Sequence, residues 1–486
     1  MKKPYALIIL PLSAVIVLAS GCASYTSRMA AARRDFVAGN YDNALGNIDP
    51  GDCESGSDQV LCLLERATIR QAAGDFTGSN ADFEAVYQLV REYERRADVS
   101  VRDAANEAGA ALTNETILPY KGKGYELILL HCYKGLNFLM QGDVEGARVE
   151  RFRLDKRRKQ ELDRHSEEIA EARELAEENN LSDQEIEGVG GQVLQQYSPA
   201  ARSRAASVAN LYLSAFGSYL SSIIYDIEGD FPEAALDCRR VLEQYPDFEY
   251  ARRDAATLGA ADVGYAGDPL NLAGKGDLVV FFQCGMAPVK KEVSIPVLIS
   301  DSWIGIAFPV YDTVPTRLAL LQVRIDGEPA GKTGELSDVE AKAIRTLVDD
   351  IPVLVARQVV RAVIKGVAAD AANDADPLLG LFVNIYNLAS EQADLRSWLL
   401  LPKNIQALRC YPSEGPHTVT FQVLAADGTV LGTSSIEAEF RNDRAVIALV
   451  RGIGFTPEMP AGLTLNAQWR SVPRVPLVSR PRPVLP

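Results

Sequence analysis

Gly229-Asp230-Phe231-Pro232-Glu233-Ala234-Ala235, running on through Val241 and Leu242 to Tyr245-Pro246, decides how the first half of this chain is read. A glycine lets the backbone leave one helix in a left-handed conformation. The aromatic after it fills the space between two paired helices, small alanines permit their close approach, and Pro246 stops the second helix. Three earlier places repeat the pattern: Gly39-Asn40-Tyr41 with Ala44, Gly74-Asp75-Phe76, and Gly142-Asp143-Val144 with Ala147. The first two glycines are 35 residues apart and the next interval is 68, two units of about 34. Gly109 falls where the missing turn belongs but lacks the flanking aromatic.

A helix-turn-helix period of about 34 residues is that of tetratricopeptide repeats. Residues 22–260 are therefore expected to form an all-α, tetratricopeptide-like solenoid, because each hairpin keeps an exposed apolar side until a neighbour stacks on it. The concave face of such an array is a surface for a peptide or protein segment, and the alternative is a purely structural array. The period breaks between Gly142 and Gly229, where an insert at about 148–205 opens with a charged run from Arg148 to Glu178. Its sparse apolar residues read as solvated helix, and the neighbouring glutamates can neutralise the basic cluster Lys156-Arg157-Arg158-Lys159. Gly188-Val189-Gly190-Gly191 reads as a flexible turn without the spacing of a phosphate loop.

After a Gly-, Asp- and Pro-bearing linker the pattern changes, and 277–470 reads as an α+β domain. Short apolar runs at Leu278–Gln283, Val293–Ile299, Trp303–Phe308 and Leu318–Ile325 predict strands. Ser337 with Glu340 three residues on predicts a helix start, the helix being interrupted near Pro352, and Leu378–Ala389 predicts a further helix. Strand signals return at Ile405–Cys410, Thr418–Leu424, Ser434–Phe440 and Arg444–Leu449, with Asp427-Gly428 as a hairpin turn. Strands on both sides of a helical block predict one sheet completed across it. Residues 471–486 carry five prolines and three arginines and read as an extended, unpacked tail.

The N-terminus is an address. Lys2 and Lys3 precede an apolar run from Ala6 to Ala19, too short to span a bilayer, and Ala19-Ser20-Gly21-Cys22 follows. This resembles the lipobox of bacterial lipoproteins, with Ala19 in place of the commoner leucine. The resemblance implies a signal peptide over 1–21, acyl chains (palmitate among them) on Cys22 and, with Ala23-Ser24 next, the outer membrane facing the periplasm. Loss of Lys2 and Lys3 takes the net charge from −15 to −17. An acidic body argues against nucleic acid or an anionic membrane surface as the main partner. In an oxidising compartment Cys53 and Cys62, nine residues apart across a Gly/Ser/Asp-rich turn, form a candidate disulfide, and the other cysteines read as buried small hydrophobes. With three histidines, no C-x-x-C, and no H-E-x-x-H, G-x-S-x-G or P-loop, no catalytic, metal or cofactor site is assigned, and the expectation is a non-enzyme.

Several segments together resemble one family of bacterial outer-membrane lipoproteins with tetratricopeptide-like N-terminal repeats and an uncharacterised C-terminal domain. They include Tyr125 to Leu139, Gly142 to Glu150, Gly285-Met286-Ala287-Pro288-Val289-Lys290, and Ala393-Asp394-Leu395-Arg396-Ser397-Trp398 with Leu401-Pro402. Genes of this family tend to lie near lipoproteins that activate peptidoglycan synthases. The resemblance implies a lipid-anchored periplasmic scaffold that binds an envelope protein through its helical repeats. A cell-wall or glycan-binding module is the alternative, and exposed Trp303, Trp398 or Trp469 would favour it. Asp394, Arg396 and Trp398 read either as a functional cluster or as an ion pair fixing a turn beside a core tryptophan.

Overall fold

A computed structural model describes residues 24–100, 118–178, 182–258, 272–299, 302–375 and 393–475. The signal segment, Cys22, Gly109, the Leu378–Ala389 helix and the tail beyond 475 lie outside the described residues. Helices come first: α1 (Tyr25–Arg28), α2 (Ala30–Val37), α3 (Tyr41–Gly46), α4 (Pro50–Glu54), α5 (Gln59–Ala73), α6 (Phe76–Ser100), α7 (Gly124–Gln141), α8 (Val144–Glu178), α9 (Asp183–Gln195), α10 (Pro199–Ala206), α11 (Ala215–Glu228), α12 (Phe231–Gln244) and α13 (Glu249–Thr257). The sheet-rich region follows with β1 (Leu278–Cys284), β2 (Val289–Ile299), β3 (Ser302–Asp312), β4 (Leu318–Ile325), β5 (Glu328–Lys332) and β6 (Gly334–Asp338). Helix α14 (Val339–Ala375) then precedes β7 (Asn404–Cys410), β8 (Gly415–Ala425), β9 (Val430–Phe440), β10 (Arg444–Thr456) and β11 (Met459–Pro473).

Gly39, Gly74, Gly142 and Gly229 all have φ between 77° and 88° and close the hairpins α2–α3, α5–α6, α7–α8 and α11–α12. No residue with a side chain adopts this conformation cheaply, which is why the turn is built on glycine. Tyr41, Phe76, Val144 and Phe231 each open the second helix, and Ala44, Ala147 and Ala234 are fully buried at the crossings. Asp75 and Asp143 accept the amides of Gly78 and Gly146, supplying acceptors for otherwise orphaned helix donors. In α7, 16 of 18 residues are buried, so this helix is enclosed on every side.

Strands before and after α14 share sheets. The five-stranded sheet runs β11-β10-β1-β7-β6, with β1 parallel to β10 and antiparallel to β7, and the four-stranded sheet runs β5-β4-β8-β9. All seven residues of β1 are buried because helices cover one face of its sheet and the four-stranded sheet covers the other. Phe281 meets Phe216 and Tyr219 of α11, while Phe282 points the opposite way toward Gly452 and β4. Each such ring removed from water contributes about 1.5–3 kcal/mol. Among the described residues, side chains from α1 through to β11 share one large hydrophobic core, with a small separate cluster between α8 and α14, so the change of element type near residue 260 is not a break in packing.

Four local expectations are corrected. Ser337 lies on β6, and the amide of Ala341 is instead capped by Asp338 at 2.9 Å. Helix α14 continues through Pro352 without interruption. Gly188 to Gly191 lie inside α9, where a Cβ on Gly190 would come within 2.9 Å of Ile351, so close helix packing rather than a turn explains that glycine. Residues Ser471 to Pro473 belong to β11 and Arg474 is ion-paired, so the first part of the tail is structured. Among the described residues no helix is long and apolar enough to cross a membrane.

Candidate functional site

Helices α5 and α7 present Glu65, Thr68 and Glu126 to the sheet-rich region, and the chain's own segment 393–401 bonds to them. Glu65 of α5 accepts the amides of Leu399 at 2.5 Å and Leu400 at 3.0 Å. Glu126 of α7 accepts the amide of Trp398 at 2.9 Å and the Tyr120 hydroxyl at 2.6 Å. Trp398 is 1% exposed, packs on Phe83 and Tyr133, and donates its indole N–H to Thr68 at 2.8 Å. Arg396 grips Asp394 with two parallel bonds and also reaches Asp58 and the Leu118 carbonyl. Burial pushes the Glu65 carboxyl up to about 8 against the two amides that favour its ionised form. Asp394, Arg396 and Trp398 thus tie the two regions together; the sequence left this reading open beside a functional one.

A second junction lies at the C-terminal end of α11. Arg409 of β7 binds Asp277 through two bonds, at 2.9 and 2.6 Å, and also pairs with Asp226 of α11 and with Asp254 of α13. Arg474 pairs with Asp226 and Asp277, and Arg253 with Asp254, so three carboxylates meet three guanidinium groups. Burial pushes Asp277 up, but Arg409 and Arg474 outweigh it and hold the carboxyl below its ordinary range.

Between the junctions, β11 crosses the glycine turns. Thr464 donates to the Val37 carbonyl at the end of α2 and Asn466 and Gln468 to the Ala72 carbonyl at the end of α5, while Arg474, just past the end of the strand, donates to the Asp226 carbonyl of α11. Arg470 lies over Gly142, where an added Cβ would stand 3.6 Å from its Nε. One strand therefore caps successive hairpins, with alternate residues facing the helix ends.

A cleft of about 250 Å³ lies at the start of α7, walled by the 118–123 loop, α8, α14 and the Asp394–Arg396 turn. Its lining carries cations Lys121, Lys123, Arg164, Arg357 and Arg396 against carboxylates Glu168, Asp350 and Asp394. Lys123 pairs with Asp350 at 2.7 Å, Arg164 with Glu168 at 3.9 Å and Arg396 with Asp394 at 2.8 Å. His165 packs its ring near Tyr212 on the same wall. Of this assembly the sequence pattern singled out only Asp394 and Arg396, because its members come from five distant segments.

A disulfide joins Cys53 and Cys62, with Cα atoms 5.0 Å apart. Cys132, Cys238, Cys284 and Cys410 are buried thiols, and burial pushes Cys132, Cys284 and Cys410 up to about 12, away from nucleophilic use. In the basic cluster, Arg157 pairs with Glu94 and Glu161 and Arg158 with Asp155. Among the described residues no three His, Cys, Asp or Glu side chains are grouped to hold a metal ion. Trp469 is 39% exposed, and the side chain of Trp303 lies outside the described residues. No protein-family model, curated protein or solved structure matches this chain.

Proposed function

We propose that this protein is an outer-membrane lipoprotein, anchored through Cys22 and facing the periplasm, that serves as a non-enzymatic protein-binding scaffold in cell-envelope assembly, on the side of peptidoglycan synthesis. In this reading the hairpins form a tetratricopeptide-like solenoid. The observation that carries it is the row of four glycine turns, three of them crossed by one strand, in a helical arrangement whose usual use, where it repeats, is protein recognition. Because segment 393–401 fills the inner face, the partner's surface is the outer one, formed by the second helices of the hairpins. There Phe152 is 62% exposed and Val149 41% exposed on α8, large apolar groups held in water at one helical face.

A photo-crosslinker at Phe152 in growing cells is expected to capture an envelope protein. Recovery of purified peptidoglycan alone, unaffected by substitutions on α8, would count against the scaffold and in favour of a wall-binding module. Burial of Trp398 removes one of the three tryptophans on which that alternative rested. For the anchor, Cys22→Ala is expected to release the protein into the soluble periplasmic fraction, and continued fractionation with the outer membrane would refute it.

A further inference from the structure

We propose that the Pro- and Arg-bearing segment 476–486 of this chain lies over the outer face of α8 and α11 and covers Phe152 until an envelope partner displaces it. The contact stands on its own geometry, and only its consequence, competition with a partner, rests on the scaffold reading above. A platform is built on that face. The Arg151 guanidinium sits 3.6 Å from the centre of the Tyr225 ring on α11 and 4.7 Å from that of Phe152, so two aromatic rings are held against one cation. Arg151 is buried and is fixed in place by Glu228 at 3.8 Å. Phe152 and Val149, both exposed, give the platform an apolar surface in water. Extended proline-rich segments dock on aromatic surfaces of this kind because their backbone is already stiff and loses little entropy on binding.

The point where the chain leaves the described residues names the occupant. The Val475 amide donates to the Ile227 carbonyl at 2.9 Å, two residues along α11 from Tyr225, and Arg474 pairs with Asp226 beside it. Segment 476–486 therefore starts at the end of α11 that carries the platform. Its eleven residues reach about 34 Å as a polyproline II helix, at about 3.1 Å per residue. Phe152 is much nearer than that, joined to Val475 by a short run of contacts through Ile227, Glu228 and Arg151. The segment contains Pro476, Pro481, Pro483 and Pro486, the last two in P-x-x-P spacing. Charge agrees with the placement. Arg480 and Arg482 are its only ionisable side chains, and exposed Asp230 and Glu233 stand at the α11–α12 turn beside the exit, where the carbonyl end of α11 also favours positive charge. The arginines of the same surface are engaged, Arg148 and Arg151 with Glu228 and Arg240 with Asp237. Lys156, exposed one turn beyond Phe152, bounds the contact on the far side.

The test is a photo-crosslinker in place of Phe152 in the purified full-length protein, with no other protein present. The expected product is an intramolecular link to residues 476–486, identified by mass spectrometry, at a yield independent of protein concentration. Arg480→Glu with Arg482→Glu should lower that yield about fivefold, the effect of losing two exposed ion pairs. Pro481→Gly with Pro483→Gly should lower it too, by loosening the segment without touching its charge, while Arg480→Lys with Arg482→Lys should keep most of it. A crosslinker in place of Leu162, exposed further along α8, should link to the segment several times less. In cells the charge-reversed variant should raise capture of an envelope protein at Phe152. No link to 476–486, equal links from the Phe152 and Leu162 sites, a yield that rises with concentration and so assigns the surface to a second copy, full yield in the charge-reversed variant, or unchanged capture in cells would each overturn the proposal. Absence of envelope capture in parent and variant alike, with the intramolecular link intact, would instead refute the scaffold reading and support the contact.

Discussion

At the junction beside α5 and α7, a buried Glu65 takes two backbone amides with no cation in contact among the described residues, while at the junction beside α11 and α13 three buried aspartates meet three arginines. Both replace water around groups that a purely apolar interface would leave unsatisfied. They differ in what carries the charge. Glu65 stays in the interior by holding a proton near neutral pH, whereas Asp277 stays there by pairing. One junction is therefore sensitive to pH above the acid range, and the other to loss of a single side chain.

The largest expected effect tests the second junction. Arg409→Ala leaves Asp226, Asp254 and Asp277 short of their shared cation, and urea denaturation should show a loss of about 3–5 kcal/mol, the usual cost of stranding a buried charge. The first junction should answer instead to pH. Glu65 has a folded-state value near 8 and an ordinary value of 4.5, so the folded form holds the proton more tightly. The stability this confers is complete below pH 4.5 and is lost as pH rises toward 8, by up to about 1.4 kcal/mol per pH unit. Glu65→Gln should remove that slope, read as melting temperature against pH for variant and parent. An equal slope in both would show that Glu65 does not titrate there.

Smaller effects separate packing from hydrogen bonding at the same places. Trp398→Phe keeps most of the ring volume but loses the indole bond to Thr68, and should cost about 1–2 kcal/mol in denaturation. Asn466→Ala removes one helix-end cap where Gln468 still serves the same Ala72 carbonyl, and should cost less than about 1 kcal/mol. If that change cost as much as Arg409→Ala, β11 rather than the ionic junction would be the main tie between helices and sheet.

Much of the helical region was legible because its signals are local. Gly74-Asp75-Phe76 and Gly229-Asp230-Phe231 specify a left-handed turn, a helix start and a packing plug within a few residues. Strand β4 was read with its observed ends and β1 to within one residue for the same reason. Strand β11 was missed, although Leu463, Leu465 and Ala467 alternate with Thr464, Asn466 and Gln468. Its apolar residues are small or interspersed with amides, and those amides make sense only once the helix ends they cap are in place. The turn glycines say where each hairpin bends but not that one distant strand crosses three of those bends.

The sequence alone determined the two element classes, their order and the glycine-built turns, since each follows from the conformational limits of a few adjacent residues. Tertiary structure decided that segment 393–401 fills the inner helical face, that Arg409 meets Asp226 and Asp254, and that Lys121 and Arg357 share a cleft. Those residues lie tens to hundreds of positions apart. No local preference encodes such a meeting, because it depends on how whole helices and sheets stack to remove apolar surface from water, and the polar groups then pair with whatever that stacking brings within reach.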